Sequence, residues 1–311
     1  MDFVSFLIDL AQTGESPSWI FPTVALVVAG SIGWLVLPWS SDGMADEVAG
    51  LVGRHFGRRF RPLAVNAGTN FPELLIMLYA LALGKWGGIA NPLGSNFANI
   101  YLVLLIAPIW AQIRGSGGGL KQLRREFHLV RKHILMAVGL WMLSRFAMNG
   151  LVESNGSSFN RSAVQVPLAC CGGGVLFFLW WVRRDQRNNS EIYAGDDGFQ
   201  SPGRWPRLIL MLLILGASSA VLNWLFLAGT ELYKEDLSRF LGASVFAYLH
   251  YFVGALVTSL PELTVAVRAF QRSTASSANL ALAGTSVSNA TNLGIAMLGI
   301  LLALLFQISG E

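Results

Sequence analysis

The sequence predicts an all-α polytopic membrane protein of about eight transmembrane helices, built from inverted-topology repeats with broken helices near the membrane midplane. Three observations carry this reading. The 311 residues are 53% hydrophobic and only 13% charged, with a mean hydropathy of +0.53, whereas a soluble chain spends about a quarter of its residues on charge. The apolar residues fall in long runs separated by short polar stretches. A polar motif containing Pro-Glu interrupts two of those runs, as GTNFPELLIM at 68–77 and VTSLPELTVA at 257–266.

Taken in chain order, the opening MDFVSFLIDLAQTG has neither a basic n-region nor a small-residue cleavage site, so it reads as a short interfacial piece and not a signal peptide. A spanning helix needs roughly 20 mainly apolar residues, and segments of that kind lie at 18–39, 62–83, 88–113, 133–151, 163–182, 206–229, 240–267 and 278–306. Five of them fall in a first half, 1–182, and three in a second half, 206–311, with a polar linker at 183–205 rich in Gly, Asp and Asn. If the spans alternate, the basic stretches 54–61, 114–132, 183–207 and 268–272 share one face and hold 17 of the 22 Lys and Arg. The positive-inside rule makes that face, and with it the linker, cytoplasmic and puts both termini outside an inner (plasma) membrane. Topology accounts for these basic stretches, so no nucleic-acid partner is implied; the partners are membrane lipid and whatever the membrane site admits. Adjacent Cys170 and Cys171 read as small buried hydrophobes, the run REFHLVRKH at 125–133 as an amphipathic interfacial segment, and the ten Trp as interface anchors. Arg145 and Glu153 read as a snorkelling or paired set near the outer surface, and His250 as a cap at an outer helix end, with a proton relay as its alternative role.

Two stretches repeat one order of elements, 42–105 and 228–302: a polar end, an apolar helix broken by T-x-x-P-E, a loop, and an apolar helix broken by S-N-x-x-N. The matched pairs are Thr69/Glu73 with Ser95/Asn99, and Thr258/Glu262 with Ser288/Asn292. Each pair is spaced i, i+4, which places both groups on one helix face. Basic residues precede the first broken helix and follow the second, so the copies are inverted in the membrane, the pattern of a transporter whose site lies where the repeats meet. Proline removes a donor and displaces the carbonyl four residues back, which predicts freed carbonyls near Ala67 and Gly68 and near Ala255 and Val257. One Pro-Glu alone is as well explained by a kink with a snorkelling acid; two inverted copies with Ser and Asn partners are not. An ionised Glu at the bilayer centre costs at least a few kcal/mol unless compensated, and no Lys or Arg lies near these two in their helices. Carboxylates among Thr, Ser and Asn oxygens suit a hard cation such as Ca²⁺ or Na⁺, and the absence of a nearby His or Cys cluster argues against zinc or copper.

These motifs resemble those of the cation/Ca²⁺ antiporter superfamily, and within it the prokaryotic sodium/calcium exchanger family, whose repeats carry G-T-S-L-P-E followed by G-N-x-x-G-S-N-x-x-N or -D. The likeness covers both repeats, with T-S-L-P-E at 258–262 unaltered and G-S-N-F-A-N at 94–99 nearly so; elsewhere it is one of hydropathy. The resemblance implies cation ligands at Thr69, Glu73, Ser95, Asn99, Thr258, Ser259, Glu262, Ser288 and Asn292, with the two glutamates holding Ca²⁺ and sharing Na⁺ sites in the alternate state. It also implies a first and sixth helix that slide against a core holding both repeats. Asn70 stands where the family usually has Ser, Gly284 where it usually has Asn, and Asn292 where many members carry Asp. Asn292 can offer an amide oxygen but cannot titrate, so the site carries two carboxylates; one Ca²⁺ neutralises them and three Na⁺ exceed them by one charge. The family has five helices per half, so a second half of three leaves a flank for lipid or a neighbouring subunit of a homo-oligomer to cover.

The expectation is therefore secondary-active antiport, foremost Na⁺/Ca²⁺ exchange, with no enzymatic activity, no cofactor, and Ca²⁺ and Na⁺ (or H⁺) as cargo. Two alternatives stand beside it: a Ca²⁺/H⁺ antiporter using the same glutamates, and a non-transporting membrane scaffold or sensor derived from an exchanger. No Ser/His or Asp/Asp pairing in facing breaks supports an intramembrane hydrolase, and no long cytoplasmic insert supports a separate Ca²⁺-sensing domain.

Overall fold

A computed structural model describes residues 20–56, 68–114, 120–125, 127–153, 164–188, 203–241, 244–271 and 275–308. The described chain is all-helical. Helices α1 (Ile20–Ser31) and α2 (Leu37–His55) are followed by α3 (Phe71–Ala82), α4 (Ala90–Tyr101), α5 (Ala107–Ile113), α6 (Leu120–Arg125), α7 (Phe127–Glu153) and α8 (Gln165–Asn188). The remainder holds α9 (Trp205–Leu232), α10 (Lys234–Leu241), α11 (Val245–Leu249), α12 (Ala255–Thr258), α13 (Leu260–Gln271) and α14 (Ala275–Leu305). Among the described residues, seven stretches are long and apolar enough to cross a membrane: Phe21–His55, Trp86–Ile113, Arg131–Glu153, Gln165–Arg184, Trp205–Leu232, Val245–Gln271 and Leu282–Leu305. They make the chain an integral membrane protein.

The differences from the expected spans have local causes. The segment expected at 62–83 contributes only the 12-residue α3, because the chain turns at Thr69 and Asn70; 62–67 lie outside the described residues. The first helix instead runs on through Pro38. A five-residue π turn, Ile32–Val36, joins α1 to α2, and a second, Leu102–Ile106, precedes Pro108 in α5. In both places the wider turn takes up the carbonyl that the proline ring would strike, so the helix continues. The S-N-x-x-N segments are not breaks: α4 runs unbroken through 95–99 and α14 through 288–292. Helix α8 extends to Asn188, so the first part of the expected linker is helical, while 189–202 lie outside the described residues. The expected interfacial run at 125–133 is mostly the first turns of α7, and its His133 is buried against Trp181. Of the tryptophans, Trp34, Trp39, Trp180 and Trp205 are exposed as anchors should be, but Trp86 is core. Arg145 and Glu153 are both exposed.

Two packed groups meet at α3. Its Met77 and Leu81 join Leu93 of α4, Leu140 of α7, Phe178 of α8 and Leu293 of α14. Its Ile76 and Ala80, on the adjoining face, join Met44 of α2, with Leu215 and Leu222 of α9. A third group fills the space between α4, α5 and α13 around Phe270. Outward-facing Leu26, Leu135, Leu176, Leu213 and Leu305 are exposed, as lipid-facing side chains are.

Helices α2 and α9 lie side by side and are clasped at one end. Buried Glu47 accepts the Arg204 backbone N–H at 2.5 Å, at the N-cap of α9, and pairs with Arg207 at 3.3 Å. Arg54 donates to the Gly203 carbonyl at 3.4 Å. A carboxylate there meets the positive end of the α9 dipole as well as a guanidinium. Glu47→Gln is expected to destabilise the protein by about 1–3 kcal/mol through the weakened, buried acceptor. The check is a lower melting temperature in detergent, with faster amide exchange confined to the first turn of α9.

Candidate ion site

The site is built on two helix starts inside the bundle. Both α3 and α13 have proline as second residue and glutamate as third, Pro72–Glu73 and Pro261–Glu262. The residue before each helix adopts nearly the same turn, Asn70 at φ −90°, ψ 8° and Ser259 at φ −86°, ψ 4°. The logic is local. No helical carbonyl awaits a donor in the first turn, so proline costs little there, and a carboxylate in that turn faces the helix's unpaired N–H groups. The break is narrow. The Ala255 carbonyl, expected to be free, accepts the Ser259 N–H at 3.0 Å and the Thr258 hydroxyl at 3.3 Å, so side-chain oxygens and not this carbonyl remain to serve a ligand.

All nine residues expected at the site are buried. Glu73 accepts the Ser95 hydroxyl at 3.1 Å on one oxygen, with the Thr258 hydroxyl also against its carboxyl. Glu262 has Ser288 at 3.5 Å, with the Thr69 hydroxyl against it. Each glutamate thus has beside it one hydroxyl from its own following helix and one from the opposite break. Ser95 and Thr258 are themselves 3.3 Å apart, Ser288 donates to the Asn70 amide oxygen at 2.8 Å, and Asn99 donates to Ser288 at 3.0 Å. Contacts therefore join seven of the nine into two groups, Glu73 with Ser95 and Thr258, and Glu262 with Thr69, Ser288 and Asn99, each mixing residues of both stretches. Ser259 sits in the second break with its hydroxyl unpartnered, and Asn292 lies one turn beyond Ser288 with neither amide atom partnered.

The atoms left over define the chemistry. The second carboxylate oxygen of Glu73 and of Glu262, the amide oxygens of Asn91 and Asn99, and the Ser259 hydroxyl have no hydrogen-bond partner. Each such buried group costs about 1–3 kcal/mol. A helix N-terminus returns at most ~2 kcal/mol per carboxylate, against at least ~2.5 kcal/mol for an acid at bilayer depth. Among the described residues neither glutamate has a basic partner, and no three His, Cys, Asp or Glu side chains come together. A hard cation satisfies such a set of oxygens; a transition metal finds no soft donor in it.

Sequence reasoning missed Asn91, which donates to Thr258 at 3.4 Å, and the Asn96 and Asn289 side chains behind the site. Asn91 was findable, since 91, 95 and 99 recur every four residues on one face of α4. The expected outer cap, His250, is instead fully buried between Phe226 and Phe246, and neither ring nitrogen has a hydrogen-bond partner.

No protein-family model, no curated protein and no solved structure matches this chain.

Proposed function

We propose that the chain is a secondary-active cation antiporter exchanging Ca²⁺ for Na⁺ by alternating access, its two repeats inverted about the pair Glu73 and Glu262. The observation that carries the reading is the reciprocal placing of hydroxyls beside the two carboxylates. Each has beside it a serine of its own repeat and a threonine of the other, so neither half holds a cation alone. One Ca²⁺ neutralises the pair; two Na⁺ do the same in its place, and hydroxyl and amide oxygens complete the coordination. Alternation is a shift of the clasped α2–α9 pair past α3 and α13, opening the pair of glutamates to one side and then to the other.

A second reading is favoured by the same pair: with no cation bound, protons can neutralise two facing carboxylates, which makes Ca²⁺/H⁺ exchange the competing coupling. The test is radioactive calcium uptake into proteoliposomes under three conditions: an outward Na⁺ gradient, a pH gradient, and neither. Uptake that follows the Na⁺ gradient supports the first reading. Uptake that follows only the pH gradient replaces it with the second. Binding without flux under any gradient replaces both with a non-transporting sensor or scaffold.

A further inference from the structure

Behind the glutamates, a chain of side-chain amides leads from α7 to the site, and its polarity is fixed by a backbone group. The Asn289 side chain donates to the Ala137 carbonyl of α7 at 3.1 Å. A carbonyl can only accept, so the NH₂ of Asn289 must face α7 and its amide oxygen must face the other way. That oxygen lies 3.1 Å from the Asn99 amide, and only the NH₂ of Asn99 can bond to it. The same NH₂ reaches Ser288 at 3.0 Å. With both Asn99 donors spent on α14, its amide oxygen is left buried and without a partner.

From this geometry, and resting on the cation-binding reading above, we propose that Asn289 is a positioning residue that selects the oxygen end of Asn99 for the cation. Without it the Asn99 amide is free to turn about its last torsion and present NH₂, a donor that repels a cation. The supports are themselves rigid. Asn96 donates to the Asn289 backbone carbonyl at 3.0 Å and to Ser144 at 2.5 Å, Ser144 donates to the Leu140 carbonyl at 3.1 Å, and Ser286 donates to the His133 carbonyl at 2.9 Å. Helices α4, α7 and α14 are thus laced through a row of α7 carbonyls, and Asn289 is the member of that row whose oxygen faces a site residue.

The test measures Ca²⁺ affinity of the purified full chain by calorimetry, with uptake kinetics alongside. Asn289→Leu, similar in volume but without donor or acceptor, is expected to weaken binding about ten- to a hundredfold, as loss of an orienting partner does, and to raise KM with little change in maximal rate. Asn289→Ala is the second variant, should leucine disturb packing, with the same expectation. The decisive arm adds Asn99→Asp to either variant. A carboxylate offers oxygen at both ends and needs no orienting, so affinity is expected to recover to within a few-fold of the wild type. Unchanged affinity in the single variants, or no recovery in the doubles while the protein melts cooperatively, would overturn the proposal. Wild-type protein that binds no Ca²⁺ would overturn the cation reading itself, a result distinct from either.

Discussion

Glu73→Gln and Glu262→Gln are each expected to abolish gradient-driven Ca²⁺ uptake and to weaken Ca²⁺ binding by at least about a hundredfold. Removing one partner of a buried charge set costs about 3–5 kcal/mol, and 3 kcal/mol is already more than about a hundredfold in Kd. The two losses should be comparable, because the glutamates have matching surroundings: each lies in the first turn of a helix after proline, each is buried, and each has one serine and one threonine hydroxyl beside it. The cation-free variants should melt no lower than the wild type, since glutamine keeps the Ser95 or Ser288 contact and removes a carboxylate with no basic partner. Glu47→Gln is the contrast, for Glu47 is buried but paired with Arg207 and Arg204, and its loss lowers the melting point. An acid whose removal abolishes binding without lowering stability holds cargo; an acid with the opposite signature holds the fold. A cation-free Glu73→Gln or Glu262→Gln protein that melts well below the wild type would make the pair structural.

Gly94→Ala should yield no stable protein. Glycine is required there because α4 crosses the π turn His250–Gly254 at Gly94, and a Cβ would overlap the Tyr251 carbonyl oxygen and lie 2.6 Å from its carbon and 2.7 Å from the Tyr251 Cα. Both partners are backbone, so no rotamer change relieves the clash, and the expected cost is about 3 kcal/mol or more. The neighbouring Ser95 would also be driven from Glu73. Gly139→Ala on α7 is the control, with nothing within 4 Å of its Cβ position; there alanine adds about 0.5–1 kcal/mol of helix stability. The yield of monodisperse protein and the melting temperature of the two variants check both halves. A Gly94→Ala protein that folds with normal stability would mean that α4 and the π turn are not in this contact.

The apolar runs and the two Pro-Glu breaks were legible in the sequence because hydropathy and proline act through the backbone alone, in any context. Of the four i, i+4 pairs, Ser95/Asn99 and Ser288/Asn292 do lie within one helix each, because a helix face is a matter of spacing, whereas Thr69/Glu73 and Thr258/Glu262 straddle the breaks before α3 and α13 and do not share a face. Helix continuity at 95–99 and 288–292 was not legible. Asn and Ser within an apolar run read as breakers when their hydrogen bonds must be found locally. Here Asn96 and Asn289 donate to carbonyls on other helices, so their own helices keep their ladders intact. Glu47 drew no notice for the same reason, since its partners Arg204 and Arg207 lie more than 150 residues away. His250 was misplaced because its position depends on Phe226 of α9 and Phe246 of α11 closing over it, which no local pattern records.

The lacing of α14 to α7 also sets an order of assembly. Ser286 and Asn289 find their partners 153 and 152 residues earlier in the chain, and Asn99 finds Ser288 across 189. Until α14 arrives, Asn96, Asn99 and Glu262 must wait among lipid or transient water with their α14 contacts not yet made. Contacts so distant in sequence close late and slowly, and a half-made intermediate exposes polar groups that favour mispairing. The last described helix is therefore the keystone of biogenesis, and its polar face is what the finished fold waits for.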